Sequence, residues 1–499
     1  MHQVNKTIGL FLAGLTMVAA WPLVADENPP NGGLVETPLG QLDFSWINGS
    51  LVISPDGRRV AYIARQADKL AVVVDGKVEK LYDDIGAGSL LFSPDSSRVA
   101  YMAIAGGKKF VVVDGKEEGP YDNLAKGTLV FSPDSKHVAY PANVGDKKFI
   151  VMDGKAGTPH DDYGALLFSP DSKRLAYAAG SGGKWVVGVD GEDGQRYDAI
   201  EGALVFSPDS SQLAYVAQAG NKMLAVVEGK VETFEDNMVA LVFSPDSRRM
   251  AYTAQSGERQ CVIVDGKEGK LYEGIGQGTL IFSPDSKRVA YRAQVGTKRV
   301  VVVDGKEGKP YSAIGALVFS PEGSRVAYMA QSGDKQVMVL DGQEGKVYDG
   351  LGQAGAIFSP DSKRVAYMAA MAHKPFVVVD GKDGKSYDGI AAVVFSPDSS
   401  HIAYIAQEGD KRLVVLDGKE GKIYDSIGQG GPVFSPDGKR LAYLAKAGDT
   451  YFAVVDGVEA KPYDKILPGG KLQFDSVDSL HYLAVKGNRI YSVEETISH

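Results

Sequence analysis

The chain has few of the residues on which chemical sites usually depend. Cys261 is the single cysteine among 499 residues, so no disulfide can form within the chain. Other repeats of the sequence place Val, Phe or Leu at its position, which predicts a buried, inert thiol. Only Trp46 and Trp185 lie beyond the first 25 residues, which excludes a repeated tryptophan docking motif for a quinone cofactor.

Catalytic and metal-binding patterns are also missing. No Gly-x-Ser-x-Gly elbow of a serine peptidase occurs, and the closest segment, residues 180–183, falls in a predicted hairpin loop. Residues 380–385 superficially match a calcium loop, but lysines stand where oxygen ligands are required. We therefore predict a non-enzymatic protein with no catalytic, cofactor-binding or metal-binding residues. The histidines stand singly, without the short spacing of metal ligands: His2, His137, His160, His373, His401, His481 and His499.

Long apolar runs are confined to the N-terminus. Lys6 precedes an apolar stretch over residues 8–20, and small residues follow it, as in an export signal. We predict a signal peptide over residues 1–25, cleaved after Ala25, with cleavage after Ala20 and a retained anchor as alternatives. No second run of transmembrane length follows, so we expect no stable membrane insertion after signal removal. The predicted location is periplasmic or secreted.

A strong charge of one sign is absent too. The formal net charge is -9, and acidic and basic residues alternate along the loops instead of forming blocks. This mixed, acidic surface excludes a nucleic-acid partner.

Repetition dominates what is present. Twelve tyrosines recur at a spacing of 37 to 39 residues, each at the same place in a similar unit. A fixed period of this length is typical of a repeat architecture. The tyrosines are Tyr62, Tyr101, Tyr140, Tyr177, Tyr215, Tyr252, Tyr291, Tyr328, Tyr367, Tyr404, Tyr443 and Tyr482.

One unit, residues 279–314, predicts four antiparallel strands. A Ser-Pro-Asp turn separates a short apolar strand from an alternating one that carries Tyr291. A third strand, apolar on both faces, ends at an Asp-Gly hairpin signal, and residues 309–314 form the outermost strand. A sheet covered on both faces by copies of itself is typical of a β-propeller blade. Tyr291 is expected to pack between blades, with its hydroxyl group near a polar partner.

Both chain ends contribute to the predicted ring. The twelfth unit ends after its third strand, while residues 40–47 form an unpartnered strand at the N-terminus. Pairing the two closes an all-β ring of about twelve four-stranded blades and removes an exposed edge. Two six-bladed propellers are the alternative. The predicted boundaries are a flexible segment over residues 26–39, propeller repeats over 40–494 and a tail over 495–499.

The Ser-Pro-Asp-Gly/Ser-x-Arg-Val-Ala-Tyr element resembles the repeats of TolB-like propellers, which are periplasmic and secreted relatives of WD-type propellers. The resemblance covers residues 53 to about 445 in eleven copies, and the twelfth, residues 474–493, lacks the Ser-Pro turn. It implies binding to partner proteins of the cell envelope. Twelve units are twice the six typical of that family, and no α/β domain precedes them.

Positions where the repeat symmetry breaks are the candidate binding residues. Asn143, Trp185, Glu228 and His373 each depart from the residue type that the other units carry. His373 adds an ionisable group near a turn that elsewhere reads Gly-Asp-Lys. A ring of paired basic residues is predicted to be a solvated rim neutralised by nearby Asp residues: Arg58-Arg59, Lys173-Arg174, Lys287-Arg288, Lys363-Arg364 and Lys439-Arg440.

Together these features predict an exported, monomeric interaction scaffold that binds a protein or an envelope polymer on one face of the ring. A carbohydrate-active propeller, either a polysaccharide lyase or a glycosidase, is the alternative. A glycosidase requires paired carboxylates at the scissile bond, whereas the repeated Asp residues stand at turn positions. A structural spacer is a third possibility.

Overall fold

The computed structural model describes residues 33–42, 45–125, 127–235, 237–467 and 469–497. The predicted signal peptide lies outside these ranges. Within them the chain forms twelve antiparallel sheets of strands and turns, with no α-helix. Eleven of these sheets pair their strands in chain order, and the twelfth adds the N-terminal strand at its outer edge. Each sheet is one blade, and the blades are numbered here from Tyr62 (blade 1) to Tyr482 (blade 12).

The first strands of neighbouring blades contact one another, which places them innermost in the ring. The innermost strands are Val52–Ile53, Asp84–Ile85 with Leu91–Phe92, Asn123–Leu124 with Val130–Phe131, Asp162–Phe168, Ala199–Phe206, Asn237–Phe243, Gly274–Ile275 with Ile281–Phe282, Ala313–Phe319, Gly350–Leu351 with Ile357–Phe358, Gly389–Phe395, Ser426–Ile427 with Val433–Phe434, and Lys465–Ile466 with Gln473–Ser476. The second strands, which carry the repeated tyrosines, are Val60–Gln66, Val99–Ala105, Val138–Val144, Leu175–Ser181, Leu213–Ala219, Met250–Ser256, Val289–Val295, Val326–Ser332, Val365–Met371, Ile402–Glu408, Leu441–Ala447 and Ser479–Lys486.

The third strands are apolar on both faces and mostly buried. They are Lys69–Val74, Lys108–Val113, Lys147–Met152, Lys184–Val189, Lys222–Val227, Arg259–Val264, Lys298–Val303, Lys335–Leu340, Lys374–Val379, Lys411–Leu416, Thr450–Val455 and Arg489–Thr496. The outermost strands are Lys77–Val78, Lys116–Tyr121, Lys155–His160, Glu192–Tyr197, Lys230–Glu235, Lys267–Glu268, Lys306–Glu307, Gln343–Tyr348, Lys382–Asp383, Lys419–Tyr424, Val458–Glu459 and, for blade 12, Leu34–Gln41.

Blade 7 shows how the repeat produces these strands. Asp304 and Gly305 both have positive φ, 51° and 76°, which is the geometry of a tight hairpin turn. The predicted fourth strand over residues 309–314 is divided in the structure. Tyr311 pairs with Arg299 in its own blade, whereas Ala313 already begins the innermost strand of blade 8. The division arises because the chain crosses here from the outer edge of one blade to the inner edge of the next.

The twelve blades form one ring, as predicted, and not two six-bladed propellers. A buried apolar cluster fills each interface between successive blades. Ala251 and Val262 of blade 6 pack with Tyr291 of blade 7, where two separate rings would have parted. Val60 of blade 1 packs with Leu483 of blade 12, which closes the circle.

The N-terminal strand completes blade 12, but its bounds differ from those expected. The strand Leu34–Gln41 pairs with Arg489–Thr496, with Gly40 opposite Ile490. The predicted boundary between a flexible segment over residues 26–39 and the propeller is therefore corrected, because residues 34–38 already pair with residues 491–495 and Leu39 is buried. Trp46 pairs instead with Ala64 in blade 1, and residues 43 and 44 lie outside the described ranges.

Side chains confirm the role of this strand in closing the ring. Lys461 and Tyr463 of blade 11 both donate hydrogen bonds to the carboxylate of Glu36, at 2.8 and 2.6 Å. The same pair of donors meets Glu344 at the interface of blades 7 and 8. The expected tail over residues 495–499 also needs correction, because the last strand runs to Thr496 and Ile497 is buried.

Candidate functional site

The blades present two different faces of the ring. The Ser-Pro-Asp turns and the Asp-Gly hairpins lie on one face, which we call the Ser-Pro face. The hairpins between the second and third strands lie on the opposite face, because successive strands in a blade are antiparallel.

On the Ser-Pro face, an arginine links each typical blade to the next. In blade 6, Arg249 Nε donates to Asp265 at 2.9 Å within the blade. Its Nη1 donates to the backbone carbonyls of Ser286 and Lys287 in blade 7, at 3.2 and 2.9 Å. The guanidinium lies over the ring of Phe282, 5.3 Å from its centroid. The same stacking, at 5.1 to 5.6 Å, recurs for Arg59, Arg98, Arg174, Arg288, Arg325 and Arg364.

Histidine replaces this arginine in two blades. His137 and His401 bond to Asp153 and Asp417 of their own blades, at 2.7 and 2.6 Å. Each ring stacks on the phenylalanine of the next blade at 6.5 Å. The gap between blades is thus covered by a planar nitrogen-containing side chain in these blades as well.

Blade 5 carries Gln212 at this position, and its side chain makes no hydrogen bond within the described part of the chain. A groove of about 390 Å³ opens here between blades 5 and 6. Phe243, Ser247, Arg248, Met250 and Glu268 lie along it. The shorter, uncharged glutamine explains the groove, because no guanidinium or imidazole of the described residues lies over Phe243 as Arg249 lies over Phe282.

Glu228, one of the predicted site residues, belongs to the same blade as Gln212 and also departs from the usual contacts of the repeat. Arg174 of blade 4 bonds with both oxygens of Glu228 in blade 5, at 3.2 and 3.3 Å. Glu228 Oε1 also accepts a hydrogen bond from the amide of Leu213 at 2.6 Å. The longer side chain therefore reaches back to blade 4, whereas a typical Asp bonds the arginine of its own blade. Its neighbour Val227 lines the groove.

The other three predicted site residues lie towards the opposite face. Half-buried Trp185 fills space left by Gly164 and Gly180, where a Cβ atom would come within 3.4 and 3.7 Å of its ring. His373 is exposed in a hairpin turn, with φ of 63°. Asn143 is half-buried, and its backbone carbonyl accepts from the amide of Asp122 at 2.9 Å.

The structure does not bring the four predicted residues into one site. Asn143, Trp185 and Glu228 belong to blades 3, 4 and 5, whereas His373 belongs to blade 9, at least four blades away. Sequence reasoning missed Gln212. The signal was available, since every other unit from blade 1 to blade 11 has Arg or His at that column.

The predicted rim of basic pairs divides into two roles. The first member is exposed in four of the five pairs, as Lys287 is, 3.4 Å from Asp285 of its own turn, whereas Arg58 is half-buried and forms ion pairs with Asp475 and Glu494 of blade 12. The second member, Arg288, bonds Asp304 and the Ser324 carbonyl of the next blade, at 3.0 and 2.8 Å. The exposed lysines therefore form the solvated part of this rim, and the arginines hold the blades together.

The turn carboxylates are held in their charged form. Hydrogen bonds from Ser207 and from the amide of Ser211 lower the pKa of Asp209 to about 2. Burial has the opposite effect on Asp456 and Glu495 and raises the pKa of each.

No group of three or more His, Cys, Asp or Glu with metal-ligand geometry occurs among the described residues. Cys261 is buried in the core between blades 5 and 6, as predicted.

No family model matches the chain, and no curated protein does so either. Solved structures with a similar arrangement include a eukaryotic initiation factor, with 13% identity, 66% of this chain and 96% of that chain covered, and a TM-score of 0.33. TolB from Acinetobacter baumannii has 16% identity, and the match covers 43% of this chain and 66% of that chain with a TM-score of 0.23. The β-propeller domain of the Trilobed protease from Pyrococcus furiosus has 14% identity, and the match covers 53% of this chain and 96% of that chain with a TM-score of 0.27.

Likeness at this level carries no argument about function, and the twelve-bladed ring rests on the strand pairing of the chain itself. No helix long and apolar enough to cross a membrane is found in the described ranges.

Proposed function

We propose that this protein is an exported, non-catalytic scaffold that binds a partner protein through the Ser-Pro face of its ring. The groove between blades 5 and 6 is the observation that carries the proposal. Ten of the first eleven units carry an arginine or a histidine at the position that covers the space between blades, whereas blade 5 carries Gln212 and a groove opens beside it. A concave site lined by an aromatic ring, a flexible methionine and charged side chains at its edge suits protein recognition.

The chemistry of the carboxylates supports a binding role over hydrolysis of a polysaccharide. A glycosidase acid needs a raised pKa so that it still holds a proton near neutral pH. The repeated turn aspartates have the opposite shift, since serine hydroxyls and backbone amides stabilise their charged form.

Export to the periplasm or beyond rests on the apolar segment over residues 8–20. Intact-mass analysis of the protein recovered outside the cytoplasm tests it. The mass of a chain that begins at Asp26 is expected, and an uncleaved chain recovered from the cytoplasm would contradict the proposal.

The scaffold proposal is tested by quantitative capture of envelope proteins on the immobilised mature protein. Arg248→Glu changes an exposed charge on the Ser-Pro face at the groove, and His373→Glu changes an exposed side chain on the opposite face. We expect saturable capture of a defined partner whose affinity the first variant changes at least tenfold and the second leaves unchanged. Absence of any saturable partner, or depolymerisation of an envelope polysaccharide by the purified protein, would refute it.

A further inference from the structure

The interfaces beside the groove show which side chain fits this space. At the boundary of blades 6 and 7, Arg249 lies over an aromatic ring and donates to two carbonyls of the neighbouring turn. Arg98 does the same at the boundary of blades 2 and 3, where it meets the carbonyls of Ser135 and Lys136 at 3.1 and 2.7 Å. These arginines of the ring show how a guanidinium group binds in the space between two blades.

The groove between blades 5 and 6 keeps the receiving half of this arrangement. Phe243 corresponds to Phe282, and Ser247 and Arg248 correspond to the residues whose carbonyls accept from Arg249. Within the described part of the chain, no donor reaches the carbonyl of Ser247 or Arg248. A flat, cationic donor is therefore missing from a site otherwise built for one.

The charges around the groove are compatible with a cationic guest. The carboxylate of Glu268 lies in the groove and forms no ion pair with a described residue. At the boundary of blades 7 and 8 the equivalent Glu344 accepts hydrogen bonds from a lysine and a tyrosine of the preceding blade. The basic side chain of Arg248 does not exclude a cation, because Lys136 and Lys287 stand at the same place beside the filled sites.

We propose that the groove between blades 5 and 6 receives an arginine side chain of the partner protein. The guanidinium group takes the place that the ring's own arginines occupy elsewhere, stacked on Phe243 and donating to the carbonyls of Ser247 and Arg248. This proposal rests on the scaffold function above and specifies the chemistry that the partner presents.

Binding of a short peptide, acetyl-Gly-Arg-Gly-amide, to the mature protein tests the proposal. With methionine methyl groups labelled with ¹³C, Met250 reports on the groove and buried Met338 of blade 8 is the internal reference. We expect a saturable shift of the Met250 signal and none for Met338. The matching citrulline peptide, which lacks the positive charge, is expected to bind at least tenfold more weakly.

Two changes at one residue supply the control. Gln212→Arg restores the residue of the repeat, fills the groove from within the chain and is expected to abolish peptide binding. Gln212→Ala leaves the groove open and is expected to preserve it. Equal binding of the citrulline peptide, or undiminished binding to Gln212→Arg, would overturn the proposal.

The same variant separates this inference from the scaffold proposal. If Gln212→Arg captures the envelope partner as well as the natural protein does, the arginine site is wrong while the scaffold function stands.

Discussion

Ser135 in the Ser-Pro-Asp turn of blade 3 combines a strained backbone with a bond to the next blade. Its φ is 66°, a left-handed conformation that costs a residue with a Cβ atom about 1 kcal/mol. Its hydroxyl oxygen accepts a hydrogen bond from the amide of Asp95 in blade 2 at 3.0 Å. The serine is 2% exposed, so water cannot easily replace it as a partner. The inter-blade bond is therefore what offsets the strain.

Two substitutions at Ser135 separate the cost of the backbone strain from the contribution of the inter-blade hydrogen bond. Ser135→Ala keeps the strain and leaves the Asp95 amide without its acceptor, which we expect to cost about 2 kcal/mol. Ser135→Gly loses the same bond but relieves the strain, so its cost is expected to be about 1 kcal/mol. Alanine should thus be the worse replacement by about 1 kcal/mol.

Gly323, the equivalent residue in blade 8, is the matched control. Its φ is 76°, and a Cβ atom there would lie 2.5 Å from Asp285 Oδ1 of blade 7. Gly323→Ser introduces the commonest residue of the repeat, yet we expect it to destabilise the ring by about 1–3 kcal/mol through overpacking.

Urea unfolding midpoints measure these differences, and hydrogen exchange at the Asp95 amide measures the bond directly. Both Ser135 variants should speed that exchange about fivefold or more, as expected for the loss of about 1 kcal/mol of local protection. Ser135→Gly less stable than Ser135→Ala, or a stabilising Gly323→Ser, would refute the reasoning.

Three further outcomes follow from the buried rings and the charged turns. Burial raises the pKa of Tyr177 and of Tyr443 to about 12 from the usual 10, so their contribution to stability is full below pH 10 and declines towards pH 12. The urea unfolding midpoint should therefore fall between pH 10 and pH 12, and an unchanged midpoint would argue against this contribution. The pKa values of Asp134 and Asp361 are lowered to about 2 from 3.8, because serine hydroxyls and backbone amides donate hydrogen bonds to the charged carboxylates. The contribution of these residues to stability should be constant above pH 4 and decrease towards pH 2, which circular dichroism at graded pH can check. Gly188→Ala places a Cβ atom 2.2 Å from Cζ of Tyr177 and should cost about 3 kcal/mol, whereas a melting temperature equal to that of the natural protein would show that the tyrosine moves freely.

The sequence by itself determined the blade and the ring. Alternation around Tyr291, the two-sided apolar third strand and the Asp-Gly turn are local patterns, each decided by residues a few positions apart. Closure by the chain ends could also be predicted, because an unpartnered strand at one end met a missing strand at the other. The start of that strand at Leu34 could not be predicted, since it depends on the register with residues 489–495, which includes a shift between Pro38 and Gly40.

The candidate site was decided only by the tertiary structure. Arg249 bonds residues 37 and 38 positions further on, and Arg174 reaches Glu228 across 54 positions. These contacts join different blades, so a single unit does not reveal what its arginine does. The sequence shows that Gln212 departs from the repeat, but only the ring shows that Phe243 of the next blade lies in the same groove. The physical reason is that the pattern within a blade fixes its strands, whereas the space between blades is shaped by side chains from both neighbours.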